Sequence, residues 1–286
     1  MFKSFLLATR PKTLVAAFIP PSAAHALYYY HTEKTAYFYL FLCVLGAILI
    51  QIATNFYNDA IDTLKGADEK RVGPKRMAAT GALSPKALFR AGHFLNLLVA
   101  IIGYFIYLRG GWPFILIGIS SIYLSYGYTG GPFPLAYIGL GEIFVILYFG
   151  LISVLGSYYL YAGTLHYEAL ILATQLGLLC TTLIMINNFR DRHTDEEVGK
   201  MTLAVKMDTS TYLNLFYVCL ILPHVMQFFF AANVKSFLTI FAMPMMLRVH
   251  NTIAHNTSAD AMNDALKFCG IHLLLFGVLT ILGFSL

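Results

Sequence analysis

Charge is scarce in this chain. Asp, Glu, Lys and Arg make only 12% of the 286 residues while hydrophobic residues make 58%, a balance that excludes an ordinary soluble domain. Cysteine is scarce as well. Cys43, Cys180, Cys219 and Cys269 lie in different apolar segments without CxxC spacing, and are expected to be buried, reduced and structural. The apolar runs lack the alternation of barrel strands, so the spanning elements are helices. No cleavable leader is expected: Phe5 to Ala8 is too short an apolar core, and Arg10-Pro11-Lys12 follows it. Phe2, Phe5 and Leu6 predict a short interfacial helix instead. No soluble domain or low-complexity linker interrupts the chain. Residues 1–286 form one all-α polytopic membrane domain in contact with membrane lipid.

Counting roughly 20 apolar residues per span gives nine candidates, near 13–30, 36–56, 86–108, 112–128, 136–161, 167–188, 211–231, 235–249 and 268–286. Pro20-Pro21, Pro113 and Pro244 are expected to kink their helices. The polar segment His250 to Asp264 reads as a loop with a short surface helix. The net charge of +5 concerns orientation rather than a polyanionic partner, and nothing points to nucleic acid. With the N-terminus in the cytoplasm, 16 of the 19 basic residues fall on that side, the exceptions being Lys34, Arg109 and Lys235. The positive-inside rule then puts the C-terminus outside, as in a bacterial-type cytoplasmic membrane.

The acids cluster in two places. Asn55-Phe56-Tyr57-Asn58-Asp59-Ala60-Ile61-Asp62 ends one apolar run, and at 3.6 residues per turn Asn55, Asp59 and Asp62 share a face. Asn187-Asn188-Phe189-Arg190-Asp191 ends another, with Asn188, Asp191 and Asp195 on one face. The two form a weak internal repeat. Four spans separate them, so both fall on the cytoplasmic side. Paired carboxylates on one face repel each other. A hard divalent cation removes the conflict, and Mg²⁺ typically takes one or two carboxylates plus substrate phosphates. Gly66 permits a tight turn that could bring Asp68 back towards the helix end. Arg71, Lys75 and Arg76 then surround the rigid Gly73-Pro74 turn, and Lys200 follows the second motif; such cations suit phosphate oxygens. Two acidic helix ends, each followed by basic residues, are what a Mg²⁺-held diphosphate needs.

Further positions leave two readings open. Tyr126 and Tyr128, before Thr129-Gly130-Gly131-Pro132, are either an aromatic belt or a face that stabilises an allylic cation. Glu142 is either a site group or a satisfied structural carboxylate. Arg10 and Lys12 are either cytoplasmic anchors or a cation for a carboxylated ligand. His193 lies between the second-motif aspartates in sequence but off their face.

The Asn-Asp-x-x-Asp loop, the Asp-x-x-x-Asp loop and the nine spans resemble the UbiA-type superfamily of intramembrane aromatic prenyltransferases. Arg10-Pro11-Lys12-Thr13-Leu14, Lys65-Gly66-Ala67-Asp68 with Arg71-Val72-Gly73-Pro74, Tyr137-Ile138-Gly139-Leu140-Gly141-Glu142, and Asn187 to Asp191 with Gly199 to Leu203 are similar to its menaquinone-pathway branch, whose acceptor is 1,4-dihydroxy-2-naphthoate. The resemblance implies nine helices around a central cavity open to the cytoplasmic face. It implies transfer of a polyprenyl group from its diphosphate to a small aromatic acceptor, with loss of the acceptor carboxylate to give demethylmenaquinone. Asp59, Asp62, Asp68, Asp191 and Asp195 would hold Mg²⁺. Asn55, Arg71, Lys75, Arg76 and Lys200 would bind diphosphate, Arg10, Lys12, Glu142 and Asn188 the acceptor, and Tyr126 and Tyr128 would serve catalysis. Two departures stand out. Relatives often carry a Lys or Arg soon after the tyrosines, where this chain has Gly130-Gly131-Pro132, and Glu142 stands where Asp is expected. The rivals are a same-superfamily enzyme with another acceptor such as 4-hydroxybenzoate, a cation-coupled secondary transporter and a Ca²⁺-binding scaffold. A transporter would place its ionisable groups near the midplane rather than at helix ends.

Overall fold

The computed structural model describes residues 1–67 and 73–286. It is all-helical, with no strand among the described residues. The helices are α1 (Phe2–Ala8), α2 (Val15–Thr32), α3 (Tyr37–Leu64), α4 (Pro85–Gly110), α5 (Pro113–Gly127), α6 (Gly141–Ala162), α7 (Tyr167–Glu197), α8 (Leu203–Lys206), α9 (Thr209–Phe230), α10 (Met243–His255) and α11 (Ala259–Ser285). A 3-10 stretch, Val234–Ala242, leads into α10. Six of these, α3, α4, α6, α7, α9 and α11, are long and apolar enough to cross a membrane.

The fold is organised around α7. In its most apolar 18-residue window 72% of residues are buried, against 11% for α4. An inner helix touches protein all round, whereas α4 turns most of its apolar surface outward. With lipid outside, close packing rather than water exclusion holds such helices together. Gly150 of α6 and Gly177 of α7 show this: a Cβ on Gly150 would meet the Gly177 Cα at 2.7 Å. Around Gly150, Ile146–Gly156 is wound as a π-helix. The main core joins α2, α6, α7, α9 and α11 through Ile19, Leu27, Val154, Leu172, Leu176, Phe216 and Phe276. A smaller core, Ala8, Phe56, Ala60, Ala78, Leu83 and Leu88, fastens α1 and the chain after residue 73 onto α3 and α4.

α3 has 28 residues and α7 has 31, about 42 and 46 Å at 1.5 Å per residue. These exceed the roughly 30 Å hydrocarbon thickness, and the surplus turns carry the acidic motifs. Both helices end alike. Gly66, at φ +75°, and Gly199, at φ +70°, take left-handed backbone. The amide of Ala67 donates to the Asp62 carbonyl and that of Gly66 to Thr63; Lys200 donates to Asp195 and Gly199 to Glu196. These are two Schellman terminations, with glycine at the one position that disfavours a Cβ. Asp62 and Asp195 therefore occupy the same place in their helices.

Several expectations change. Pro113 and Pro244 do not kink a helix: they sit in the first turns of α5 and α10, where the missing N–H costs nothing. Pro20 and Pro21 lie inside α2, which continues to Thr32. The polar segment after His250 is helical at both ends, because α10 runs to His255 and α11 begins at Ala259, capped by the Ser258 hydroxyl. The four cysteines are free, three of them buried and Cys43 half-buried. α1 forms as expected, with Phe2 and Leu6 exposed and Phe5 edge-on to Phe56 at 5.9 Å.

Candidate functional site

The acidic faces are buried. Asn55, Asp59 and Asp62 are at most 3% exposed, and Asn188, Asp191 and Asp195 at most 6%. The two motifs meet: Asp195 lies within electrostatic reach of Asp62 and Asp191, and Asp62 within reach of Arg76, Lys200 and Arg10. A Cβ on Gly73 would strike the Arg190 guanidinium at 2.5 Å, so the first loop lies directly on the second motif. A larger residue at 73 would have to displace the Arg190 guanidinium.

The carboxylates already have partners within the protein. Asp59 accepts from the amides of Met77 (2.9 Å) and Ala78 (3.0 Å). Asp62 pairs with Arg76 at 2.8 Å and accepts from the Tyr137 hydroxyl at 2.9 Å. Asp191 receives both Nε and Nη2 of Arg190 at 2.7 Å. Arg190 also donates to Asn187 and, across to α11, to Asn263. Asp195 receives Lys200 at 3.2 Å through Oδ1, and its buried Oδ2 has no partner among the described residues. A carboxylate offers about four lone-pair directions, so an occupied oxygen can still accept a further ligand.

Two residues not expected at the site organise its centre. Tyr137 gives its hydroxyl to Asp62, while the Lys65 ammonium lies 3.8 Å above its ring. Burial, and then the Asp62 carboxylate, hold the Tyr137 phenol above its ordinary pKa, so it stays a donor. Lys65 also donates to the Thr129 carbonyl at 3.1 Å. That is the turn in which the sequence lacks its cation, and Thr129 also bonds Asn58. Tyr137 was visible only within a resembling block. Its contact with Asp62, 75 residues away, is tertiary and has no local signal.

The structure also separates pairs that the sequence left together. The Tyr128 hydroxyl lies against Gly141, where a Cβ would meet it at 2.8 Å, and Tyr128 is within electrostatic reach of Glu142, Asp62, Asp195 and Arg10. Tyr126 turns the other way, edge-on to Tyr57 at 5.6 Å on the side facing α4. Residues two apart on a helical turn point in different directions. Arg10 is half-buried near the site, whereas Lys12 is exposed. Lys75 is exposed and Arg76 is buried. His193 is exposed, off the acidic face. Asn55 donates to the Thr9 carbonyl at 2.9 Å, tying α1 to the motif. Glu142 is partly satisfied: Oε1 accepts from Asn188 and Tyr212, each at 3.0 Å, while buried Oε2 has no partner among the described residues. Asp68 and Arg71 lie outside the described residues.

The model of the UbiA prenyltransferase family matches residues 17–279. The 1,4-dihydroxy-2-naphthoate octaprenyltransferase of Escherichia coli (strain K12) is 31% identical, over 99% of this chain and 96% of its own length. The Haemophilus influenzae protein of the same name is 34% identical, over 84% of this chain and 82% of its own. Among solved structures, a UbiA homologue from Archaeoglobus fulgidus bound to GPP and Mg²⁺ superposes with a TM-score of 0.65. It does so at 14% identity, covering 99% of this chain and 100% of that one.

Proposed function

Because this chain belongs to the UbiA prenyltransferase family and is a prenyltransferase, we propose that it transfers a polyprenyl group from its diphosphate to 1,4-dihydroxy-2-naphthoate. The observation that carries the reading is the convergence of two buried acidic helix ends with Arg76 and Lys200 between them. The relatives that share most of its length at 31% and 34% identity carry that acceptor in their names, and the fold neighbour was solved with a prenyl diphosphate and Mg²⁺.

The donor set of Asp59, Asp62, Asp191 and Asp195 fits Mg²⁺: it is all carboxylate oxygen, and Asp195 has one buried oxygen with no partner among the described residues. Asp68 is proposed as a further ligand. When bound, Mg²⁺ neutralises diphosphate charge and eases its departure. Arg76 and Lys200, with Arg71 and Lys75 from the loop, share that charge as preorganised cations. Tyr128, beside the acids, turns a ring towards the developing allylic cation. The apolar helices exclude water, which otherwise captures that cation before the acceptor ring does. Arg10 pairs with the acceptor carboxylate, with Asn188 and Glu142 behind it and Lys12 at the rim. Asn55 keeps α1 and Arg10 in place through Thr9.

Nine spans are inferred from the count of apolar segments, and the 16-to-3 basic asymmetry supports placing the site and N-terminus in the cytoplasm. A cysteine placed at position 200 should resist a membrane-impermeant thiol reagent in intact cells, while one at 109 should react; the opposite pattern reverses the orientation. Activity is tested by supplying carboxyl-labelled 1,4-dihydroxy-2-naphthoate and a polyprenyl diphosphate. One labelled CO₂ should leave per prenyl group transferred. Label kept in the product, or faster prenylation of 4-hydroxybenzoate, removes the naphthoate assignment and leaves the prenyltransferase standing.

A further inference from the structure

The other end of the bundle holds a second cluster of ligating groups. Glu168 opens α7, and Asp191 lies 23 residues further along it, about 35 Å at 1.5 Å per residue. There the Glu168 side chain, 12% exposed, meets two imidazoles, the more buried His31 at 15% and the more open His166 at 42%. Its Oε2 is 2.5 Å from His31 Nε2 and 3.4 Å from His166 Nδ1. One nitrogen from each histidine and one Glu168 oxygen all lie within 4.8 Å of one another.

We propose that His31, His166 and Glu168 form a zinc site that staples the end of α2 to the start of α7. One protonated histidine would satisfy the carboxylate; the second, His166, caps α7 through Nδ1, which accepts from the Glu168 amide at 3.4 Å, and so sets its ring beside the first. The rings sit 4.3 Å apart, centre to centre, where charging both sets like charges against each other. A dication serves all three groups at once. Bonds of about 2.0–2.2 Å in a tetrahedron put ligand atoms roughly 3.3–3.6 Å apart. The His166 Nδ1 to Glu168 Oε2 separation is 3.4 Å, while the direct hydrogen bond between His31 Nε2 and Oε2, at 2.5 Å, has to open to admit the ion. Two imidazoles and one carboxylate are a borderline donor set that selects zinc over Mg²⁺, the reverse of the all-oxygen acidic ends. Tyr158 supplies the orienting contact such histidines have: its hydroxyl lies 2.6 Å from His31 Nδ1, which turns Nε2 towards Glu168, the side from which a metal would be held.

The test uses the full chain in detergent, stripped by chelator and titrated with ZnCl₂ under a large excess of Mg²⁺, which keeps the acidic helix ends occupied. One zinc should bind per chain. His166→Asn keeps a side-chain acceptor for the α7 N-terminus, where His166 accepts from the Glu168 amide, and should weaken zinc binding at least tenfold. Glu168→Gln should do the same. Co²⁺ in place of zinc should give the visible absorption of a tetrahedral site in the wild type and not in His166→Asn. Wild-type affinity in a folded His166→Asn overturns the proposal. If that variant does not fold, absence of the Co²⁺ signature in the wild type overturns it alone.

Discussion

The two acidic helix ends are built alike and satisfied differently. Each places an aspartate three residues before the helix cap and a glycine just beyond it, in the same Schellman turn. In the second, the residue after that glycine is Lys200, whose ammonium folds back onto Asp195. In the first, the corresponding residue is Ala67, and the cation arrives from Arg76, well downstream. Asp59 has both oxygens fixed by backbone amides, while Asp195 has one oxygen with no partner among the described residues. A repeated motif thus sets the backbone of both ends, and the partners divide the work. The first end anchors a loop as well as offering charge. The second is the more open ligand.

The largest expected effect bears on what the ends share. Asp62→Ala and Asp195→Ala should each lower turnover at least a hundredfold, about 2.7 kcal/mol of transition-state stabilisation, in protein that still folds, with Asp62→Ala melting lower because it strands the buried Arg76 guanidinium and the Tyr137 hydroxyl. Steady-state rates with saturating prenyl diphosphate check this. Near-normal turnover in Asp195→Ala would leave the second end without a role in holding the metal.

Much of this site was legible in the chain. The shared faces of Asn55, Asp59 and Asp62, and of Asn188, Asp191 and Asp195, follow from helical period alone and are buried as that period requires. Gly66 marked its turn. The partners were not legible, because Arg76 and Met77 reach the acids through a loop whose path depends on packing Ala78 and Leu83 against α3 and α4. Tyr137 sits between helices with nothing local to aim it at Asp62. Pro113 and Pro244 were misplaced for a simpler reason. A proline at a helix start and one at a kink look alike until the boundary is known to within a turn.

The next effect separates the two ends. Asp59→Ala strips partners from the Met77 and Ala78 amides, which should cost about 1–3 kcal/mol. Among the described residues Asp195→Ala removes a single side-chain pairing, with Lys200 at 3.2 Å. Thermal unfolding in detergent, with protease cleavage after residue 73 as a local readout, should therefore single out Asp59→Ala. Equal melting of the two variants would erase the distinction. A smaller effect locates the substrate relative to the pair. Tyr128→Leu should lower turnover by roughly tenfold, in the range of one desolvated cation–π contact, while Tyr128→Phe and Tyr126→Leu stay near wild type. The reverse order for positions 126 and 128 would put the allylic carbon on the α4 side instead.

The smallest expected effect concerns the gap in charge after Tyr128. Lys65 is largely exposed along its stem, but its ammonium is held between the Thr129 carbonyl and the Tyr137 ring. Burial lowers its pKa from the ordinary lysine value, with the Asp62 charge opposing that shift. A base so shifted loses its proton at a lower pH than a free lysine. If its charge helps to hold diphosphate, turnover falls early on the alkaline side. A guanidinium stays protonated throughout that range. Lys65→Arg should then move the alkaline limb of the turnover profile to higher pH and leave the acid limb in place. Lys65→Met should weaken diphosphate binding severalfold at neutral pH, because Arg76 and Lys200 remain. An alkaline limb that does not move in Lys65→Arg assigns that titration to another group, and the first helix end would then contribute Arg76 as its sole described cation next to an acid.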